Sequence, residues 1–264
     1  MPESRSSGVR IDYEDRGTGE PALLFLPGWC SSRAVFAPLL DAAAARRRVL
    51  ALDWRGHGAS ATPTGEFGTR DLIADAQAVI EASGAASVIP VALSHAGWVA
   101  IALRQQLASR IPRLILLDWL VSGAPAAFLS ALTALQDAAR WRATRDALFA
   151  MWSPARVAPI VDAYLRSDMG RSDEAMWARA GREIAAAYAG AGSPLASLAA
   201  LTPPPPVLHM YAQPQDPAYL AAQEAFAAGH RWFHVRRLDA LTHFPMFECA
   251  DVMVDAIDRF VTAP

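Results

Sequence analysis

The chain has 264 residues, of which 53% are hydrophobic and 19% are charged, and its formal net charge is −2 at pH 7. This composition excludes a disordered chain, and the slight negative charge gives no basic surface for nucleic acid or anionic lipid. Every basic residue is an arginine, so a mechanism that needs a Schiff-base lysine is excluded as well. Two cysteines far apart in the sequence, Cys30 and Cys249, predict no disulfide framework.

The first residues, MPESRSSGVRIDYED, contain no apolar stretch of the signal-peptide type. No apolar run approaches the ~20 residues that a membrane-spanning helix needs. We therefore expect a cytoplasmic protein that binds neither membrane nor nucleic acid. The sequence does not indicate an oligomeric state.

Strands and helices alternate in the first half of the chain. VRIDYED and ALLFLPG, separated by the turn cluster RGTGEP, predict an opening hairpin. The elements predicted next are the strand RRRVLAL, the helix TRDLIADAQAVIEASG, the strand ASVIPVAL, a helix from Gly97 to Ser109 and the strand RLILLD. This alternation predicts an α/β fold with a mostly parallel central sheet and helices on both of its faces.

The middle of the chain is helical throughout. Segments with helical spacing follow one another from about residue 122 to 201, and the run TPPPP then ends the block. Strands resume with VLHMYA and WFHVRRL before a last helix, ADVMVDAIDRFV. We therefore predict a core of residues 1–121 and 205–264 and a helical cap, 122–204, inserted over the carboxyl ends of the strands, where such folds bind ligands.

Three residues capable of acid–base or nucleophilic chemistry follow predicted strands. Ser94 lies in the turn after ASVIPVAL, Asp118 directly follows LILL, and His243 lies in DALTHFPMFE, between the last strand and the last helix. The chain order Ser, Asp, His is that of the α/β-hydrolase triad, and it predicts the α/β-hydrolase fold. In such a triad the histidine accepts a proton while the aspartate fixes its other ring nitrogen.

The turn around Ser94 departs from the usual nucleophile motif. The motif G-x-S-x-G places glycines on both sides of the serine, whereas this chain has Ala92 and Ala96. The spacing is right and the flanking residues are small. Two interpretations follow: Ser94 is a nucleophile, or it is a serine kept in a hydrolase frame for other chemistry.

The remaining candidates lie in neighbouring loops. Asp216 is a second candidate for the triad acid, but its proline neighbours favour a turn residue, so we prefer Asp118. The backbone N–H groups of Trp29 and His95 are the predicted oxyanion donors. His57, in the turn DWRGHGAS, is expected to be structural. No residues have metal-ligand spacing and no glycine-rich phosphate loop is present.

Several tryptophans lie close to these candidates. Trp29 and Trp152 are predicted to be flat walls of a pocket that suits a flat aromatic ligand, while Trp98 fits core packing equally well.

The motifs PGWC, DWRGHG, SHAGW, LLDWL, LFAMW, GREIAAAYAGAGSP and THFP together resemble those of the cofactor-independent 2,4-dioxygenases of the α/β-hydrolase fold. The resemblance spans nearly the whole chain. It implies that a 3-hydroxy-4(1H)-quinolone reacts with O2 as co-substrate, without metal or flavin, and yields an N-acylanthranilate and carbon monoxide. It further implies that His243 is the base, Asp118 orients it, Ser94 hydrogen-bonds the substrate, Trp29 and His95 hold the C4 oxygen, and Trp152 lines the cap side.

Two positions depart from the quinaldine-cleaving branch of this family, which has histidine where this chain has Ser31 and Leu93. Both changes lower the polarity around the site. They favour a longer 2-alkyl chain on the substrate, as in 2-heptyl-3-hydroxy-4(1H)-quinolone, a bacterial signal molecule.

Two other functions remain open on the sequence. The first is a serine esterase or lactonase that uses the same triad with Ser94 as the nucleophile. A capped pocket also serves a small-molecule receptor that binds without turnover.

Overall fold

Eight strands form one sheet in the computed structural model, which describes residues 2–154 and 158–263. The strands are β1 (Glu3–Ser6), β2 (Val9–Arg16), β3 (Ala22–Leu26), β4 (Val49–Leu52), β5 (Val88–Leu93), β6 (Leu114–Leu117), β7 (Val207–Tyr211) and β8 (Phe233–Arg237). Their order across the sheet is β1-β2-β4-β3-β5-β6-β7-β8. The pairs from β4 to β8 are parallel and the two pairs that involve β2 are antiparallel. This is the mostly parallel sheet of the α/β-hydrolase fold, as predicted.

The predicted opening hairpin is wrong. β2 pairs with β1 and with β4, and β3 lies between β4 and β5. The segment ESRS is too short and polar to stand out as a strand, yet it forms β1 through four paired residues. The physical reason is that β3 is buried along its whole length, so it belongs in the middle of the sheet with a parallel neighbour on each side.

Ten α-helices are found in the described residues. They are α1 (Ala37–Ala44), α2 (Thr69–Ala82), α3 (Ala96–Gln106), α4 (Ala126–Ala134), α5 (Trp141–Trp152), α6 (Pro159–Ser167), α7 (Glu174–Ala191), α8 (Pro194–Ala199), α9 (Pro217–Gly229) and α10 (Ala250–Thr262). The sequence analysis did not identify α1 or α9. The alanine-rich α9 has a single buried residue, Gln223, so its sequence has a weak apolar stripe.

Helices α4 to α8, which we call the cap helices, fall within the interval 122–204, and the described residues of that interval contain no strand. The central strands β3 to β7 are buried at every position. Their carboxyl ends meet at one edge of the sheet, where Ser94, Asp118 and the 212–216 loop follow them. The division into a core of 1–121 and 205–264 and a cap of 122–204 stays a prediction, and residues 1, 155–157 and 264 lie outside the described residues.

Candidate active site

Ser94 lies at a strained turn between β5 and α3. Its φ is +53°, a left-handed conformation that a non-glycine residue rarely adopts. Its N–H donates to the carbonyl of Leu117, which ties the turn to the end of β6 at 2.8 Å. The neighbours Ala92 and Ala96 are buried, and a Cβ on Gly97 would lie 2.3 Å from the Trp119 ring. Alanine is therefore accommodated at the two motif positions, while the position that requires glycine is Gly97.

Asp118 and His243 are in direct contact. His243 Nδ1 lies 2.8 Å from Asp118 Oδ1, and the other carboxylate oxygen accepts from the N–H groups of Ala212, at 2.7 Å, and Gln213, at 3.3 Å. Burial raises the pKa of Asp118, and the hydrogen bond from His243 opposes that shift. Because the carboxylate accepts three hydrogen bonds, it is held as an acceptor that fixes Nδ1 of His243 as the protonated nitrogen.

Nε2 of His243 is the nitrogen left for chemistry. In the described residues the side chain of His243 has one hydrogen bond, the one to Asp118, so Nε2 is not joined to Ser94 Oγ. The Trp152 ring stacks on the imidazole with centroids 5.3 Å apart and planes at 20°. The His243 N–H donates to the carbonyl of Trp152 at 2.9 Å, so the base is held against the end of α5 by its backbone as well as its ring.

The two predicted oxyanion donors belong to residues that line the same cavity as Ser94. Trp29 follows β3 and His95 precedes α3, and neither backbone N–H donates to another group in the described residues. The loop after Trp29 is fixed by His57, which accepts from the N–H of Cys30 at 3.0 Å and bonds the carbonyl of Arg55 through its other nitrogen. Burial lowers the pKa of His57 to about 4. His57 is thus a neutral structural residue that holds the Trp29 loop.

The structure also gives the surroundings of three other residues that the sequence singled out, Ser31, Leu93 and Asp216. Ser31 Oγ is bonded to the Tyr164 hydroxyl, which fixes its orientation at the inner cavity, and Leu93 is a buried residue at the end of β5. Asp216 caps α9, where its carboxylate accepts from the N–H of Ala218 at 2.8 Å. The structure therefore brings Asp118, and not Asp216, to His243.

Two adjoining cavities open beside these residues, and Ser94, His95, Trp152 and His243 line both. The inner cavity, about 50 Å³, lies against Trp29, Ser31, Leu93, Met169 and Trp177. The outer cavity, about 460 Å³, is lined by residues of the cap helices, among them Ala131, Met151, Ile184 and Tyr188, and by Gln213 and Leu241 from the loops after β7 and β8. Its walls are mostly apolar, as is usual for a small-molecule site.

His95 is a second buried histidine in the site. Burial lowers its pKa to about 3, its Nε2 lies 3.4 Å from Thr69 Oγ1, and its Nδ1 has no partner in the described residues. It is therefore neutral at any ordinary pH, unlike a proton-accepting histidine paired with a carboxylate.

Apart from Trp152, the cap residues that line the cavity were not predicted from the sequence, and neither was Gln213. Apolar cap residues such as Phe128 and Ile184 have the same helical spacing as core residues, so no local signal marks them as cavity walls. Gln213 lies two residues after β7, in a loop at the same edge of the sheet as Asp118, and that position was the available signal.

Within the described residues, no group of three or more His, Cys, Asp or Glu side chains is arranged to hold a metal ion. Over the same part of the chain, every helix is too short or too polar to cross a membrane.

The chain is similar in sequence to a known family and to individual proteins with a known activity. The chain matches the alpha/beta hydrolase family over residues 23–256. It is 36% identical to the 2-heptyl-3-hydroxy-4(1H)-quinolone dioxygenase of Mycobacteroides abscessus, with 97% of each chain covered. It is also 36% identical to the 1H-3-hydroxy-4-oxoquinoline 2,4-dioxygenase of Pseudomonas putida, over the full length of both.

Solved structures of similar fold include members of the same family. The structure of an AqdC variant with its substrate, from work on recognition and ring cleavage of the Pseudomonas quinolone signal, has a TM-score of 0.94 at 34% identity over 99% of each chain. An enol-lactonase from Burkholderia xenovorans shares the fold at a TM-score of 0.77 and 23% identity, covering 99% of this chain and all of that one.

Proposed function

The chain belongs to the α/β-hydrolase family and, within it, to the quinolone 2,4-dioxygenases, and from this premise we propose that it cleaves a 2-alkyl-3-hydroxy-4(1H)-quinolone with O2. In this reaction the C2–C3 and C3–C4 bonds break and C3 leaves as carbon monoxide. One oxygen atom of O2 ends on C2 and the other on C4, which gives an N-acylanthranilate. The observation that carries the proposal is the His243–Asp118 pair opening on a large apolar cavity.

His243 is the proposed base for the 3-hydroxyl proton. Since Asp118 fixes Nδ1 as the donor, a neutral imidazole presents Nε2 as an acceptor. Once the proton has been transferred, the buried carboxylate stabilises the imidazolium. The organic anion left behind is electron-rich, and its reaction with O2 follows without a nucleophile from the protein.

The backbone N–H groups of Trp29 and His95 are the proposed donors to the C4 oxygen. They are unpaired in the described residues, and donors held in place before the reaction cost no reorganisation as negative charge develops. Ser94, in the turn directly before His95, hydrogen-bonds the substrate and is not acylated. Trp152 covers the base from the cap side and excludes water from it.

The size and lining of the outer cavity support a long 2-alkyl chain. Its volume of about 460 Å³ falls within the range of drug-sized ligand sites. Ala131, Ile184 and Leu148 offer apolar surface and no charge to the tail. Of the relatives, the Mycobacteroides abscessus enzyme is named for the 2-heptyl substrate, which agrees with this assignment.

The first experiment follows O2 uptake and carbon monoxide release by metal-stripped, flavin-free protein with 2-heptyl-3-hydroxy-4(1H)-quinolone. We expect one O2 consumed and one CO released per substrate, and kcat/KM higher than for the 2-methyl analogue. No uptake with either substrate would contradict the proposed reaction. A preference for the 2-methyl substrate would contradict only the assignment of the tail.

One observation favours a second candidate, a serine esterase or lactonase. Ser94 has the positive φ of a nucleophile elbow and lies in the same cavity as His243. Rapid turnover of p-nitrophenyl esters that is abolished by Ser94→Ala would establish this activity. Under the dioxygenase proposal the same variant keeps measurable O2 uptake.

A further inference from the structure

Gln213 connects the acid of the site to two other elements. It lies two residues beyond the end of β7, and its backbone N–H donates to Asp118 Oδ2 at 3.3 Å. The adjacent N–H of Ala212 donates to the same oxygen at 2.7 Å. The backbone of this loop thus orients the carboxylate on the side opposite to His243.

The side chain of Gln213 reaches the loop that carries the base. Its Nε2 donates to the carbonyl of Leu241 at 2.9 Å, and the carbonyls of Met151 and Trp152 lie 3.3 Å and 3.5 Å away. Leu241 is two residues before His243. Met151 and Trp152 are the last residues of α5, where helix carbonyls lack partners within the helix.

The groups that Gln213 contacts also contact His243, the proposed base. The carbonyl of Trp152 also accepts from the His243 N–H, and the Trp152 ring stacks on the imidazole. From the other side, Glu248 accepts from the N–H groups of Leu241 and Thr242 at 2.9 Å and 3.0 Å. The loop before His243 is therefore held between Glu248 and Gln213. Of these two side chains, only the Gln213 amide also reaches the end of α5 in the described residues, whereas the bond to Asp118 is made by the Gln213 backbone N–H.

We propose that Gln213 is a positioning residue for the base of the proposed dioxygenase reaction, acting through the bonds of its side-chain amide to the Leu241 carbonyl and to the end of α5. It holds His243 Nδ1 against the carboxylate and the Trp152 ring against the imidazole, so that Nε2 faces the cavity in one orientation. This role rests on the proposed function for its kinetic consequence, while the contacts themselves do not depend on it.

The chain offers a matched control in Gln215. It has the same side chain, lies two residues away on the same loop at the cavity, and donates to the neighbouring carbonyl of Ala240 at 3.4 Å. It contacts neither Asp118 nor α5 in the described residues. Gln→Leu removes the amide at similar size, and Gln→Glu keeps the shape but presents acceptors to carbonyl oxygens.

The test compares Gln213→Leu and Gln213→Glu with Gln215→Leu and Gln215→Glu by three measurements. The first is the downfield proton resonance of His243 Nδ1–H in the free protein, assigned by its loss in His243→Ala. The second is the fraction of 2-heptyl-3-hydroxy-4(1H)-quinolone bound as its anion without O2, from its absorption spectrum. The third is kcat and KM with O2 present.

We expect the Gln213 variants to move or broaden the resonance, to lower the anion fraction and to reduce kcat up to about 100-fold, with KM changed less than about threefold. The Gln215 variants leave the resonance and the anion fraction as in the wild type, whatever they do to KM. If Gln213→Leu does not fold, the near-isosteric Gln213→Glu variant is used for the same three measurements.

Two results would overturn the proposal: an unchanged resonance and anion fraction in both Gln213 variants, or equal changes in the Gln213 and Gln215 pairs. If the wild type forms no anion and consumes no O2, the proposed function fails. The resonance measured without substrate then decides the role of Gln213 by itself.

Discussion

The core side and the cap side of the cavity hold their side chains by different means. On the core side, Asp118 accepts three hydrogen bonds and Ser94 is fixed by a backbone bond to β6. On the cap side, Phe128, Leu148 and Ile184 face the cavity as apolar side chains with no polar group to orient. Hydrogen bonds have directions and apolar contacts do not, so the core side fixes the position of the reacting groups, whereas the cap side fixes the volume available.

Because the two sides hold their side chains differently, we expect them to tolerate substitutions differently. A polar group on the core side cannot change without leaving a buried partner unsatisfied, while an apolar cap residue can be exchanged for a larger or smaller one at modest cost. We therefore expect substitutions on the core side to lower kcat for every substrate, and substitutions on the cap side to discriminate between substrates.

The largest effect is expected from His243→Ala. Removing the base should lower kcat about 1,000-fold, since a positioned base contributes roughly 10²–10⁴. Oxygen uptake at saturating quinolone measures this, with thermal unfolding as the control for folding. A loss of less than tenfold would mean that the substrate loses its proton to another group.

Asp118→Asn is expected to come next, with a loss of kcat of about 100- to 1,000-fold. The amide of asparagine favours the wrong imidazole tautomer, in which Nε2 carries the proton. Because burial raises the pKa of Asp118, the fold disfavours its charged form, so the neutral amide should leave Tm at pH 7 unchanged or higher. Activity and Tm falling together would instead assign Asp118 a structural role.

On the cap side, Ala131→Trp should fill part of the outer cavity. We expect kcat/KM for the 2-heptyl substrate to fall about 100-fold while the 2-methyl analogue changes less than about threefold. Thr133→Trp, at an exposed position on the same helix, is the matched control. Equal losses for both substrates would place the alkyl chain elsewhere.

Ser94→Ala should have a smaller effect, about tenfold on kcat/KM for the quinolone. One hydrogen bond to the substrate is lost, which is worth about 1.4 kcal/mol. Oxygen uptake by the variant measures it, and p-nitrophenyl acetate hydrolysis is followed in parallel. Complete loss of quinolone turnover would show that Ser94 takes part in bond making.

Three buried histidines of the core predict a dependence of stability on pH. Burial lowers the pKa of His95 to about 3 and of His57 and His209 to about 4, so the unfolded chain binds these protons first as the pH falls below 6.5. The contribution of these neutral histidines to the free energy of unfolding is fully present above pH 6.5. It decreases toward pH 5, by up to about 1.4 kcal/mol per pH unit for each histidine.

Urea unfolding between pH 7 and 5 measures this slope, and the raised pKa of Asp53 and of Asp118 acts in the opposite direction as the pH falls. A free energy of unfolding that rises toward pH 5 would contradict the prediction that the histidines dominate over this range. The cap helices contain no histidine and should not contribute.

The amino-acid sequence by itself determined the fold class and the places of Ser94, Asp118 and His243. Each of these residues directly follows a strand or lies in the loop beyond one, and parallel strands bring their carboxyl ends to one edge. Strand periodicity and chain order are local properties, so they could be recognised without coordinates. The resemblance of motifs such as LLDWL and THFP added the family, which the comparisons confirmed.

The tertiary structure alone decided which partners meet. It paired β2 with β4 in place of the predicted hairpin, because strand order depends on burial across the whole sheet. It bonded Ser31 to Tyr164, a residue 133 positions away, and so gave the polar group at the inner cavity a fixed partner. It also brought Gln213 to Leu241 and to the end of α5. Contacts between residues distant in the chain are set by packing and hydrogen-bond geometry, for which a single sequence has no local pattern.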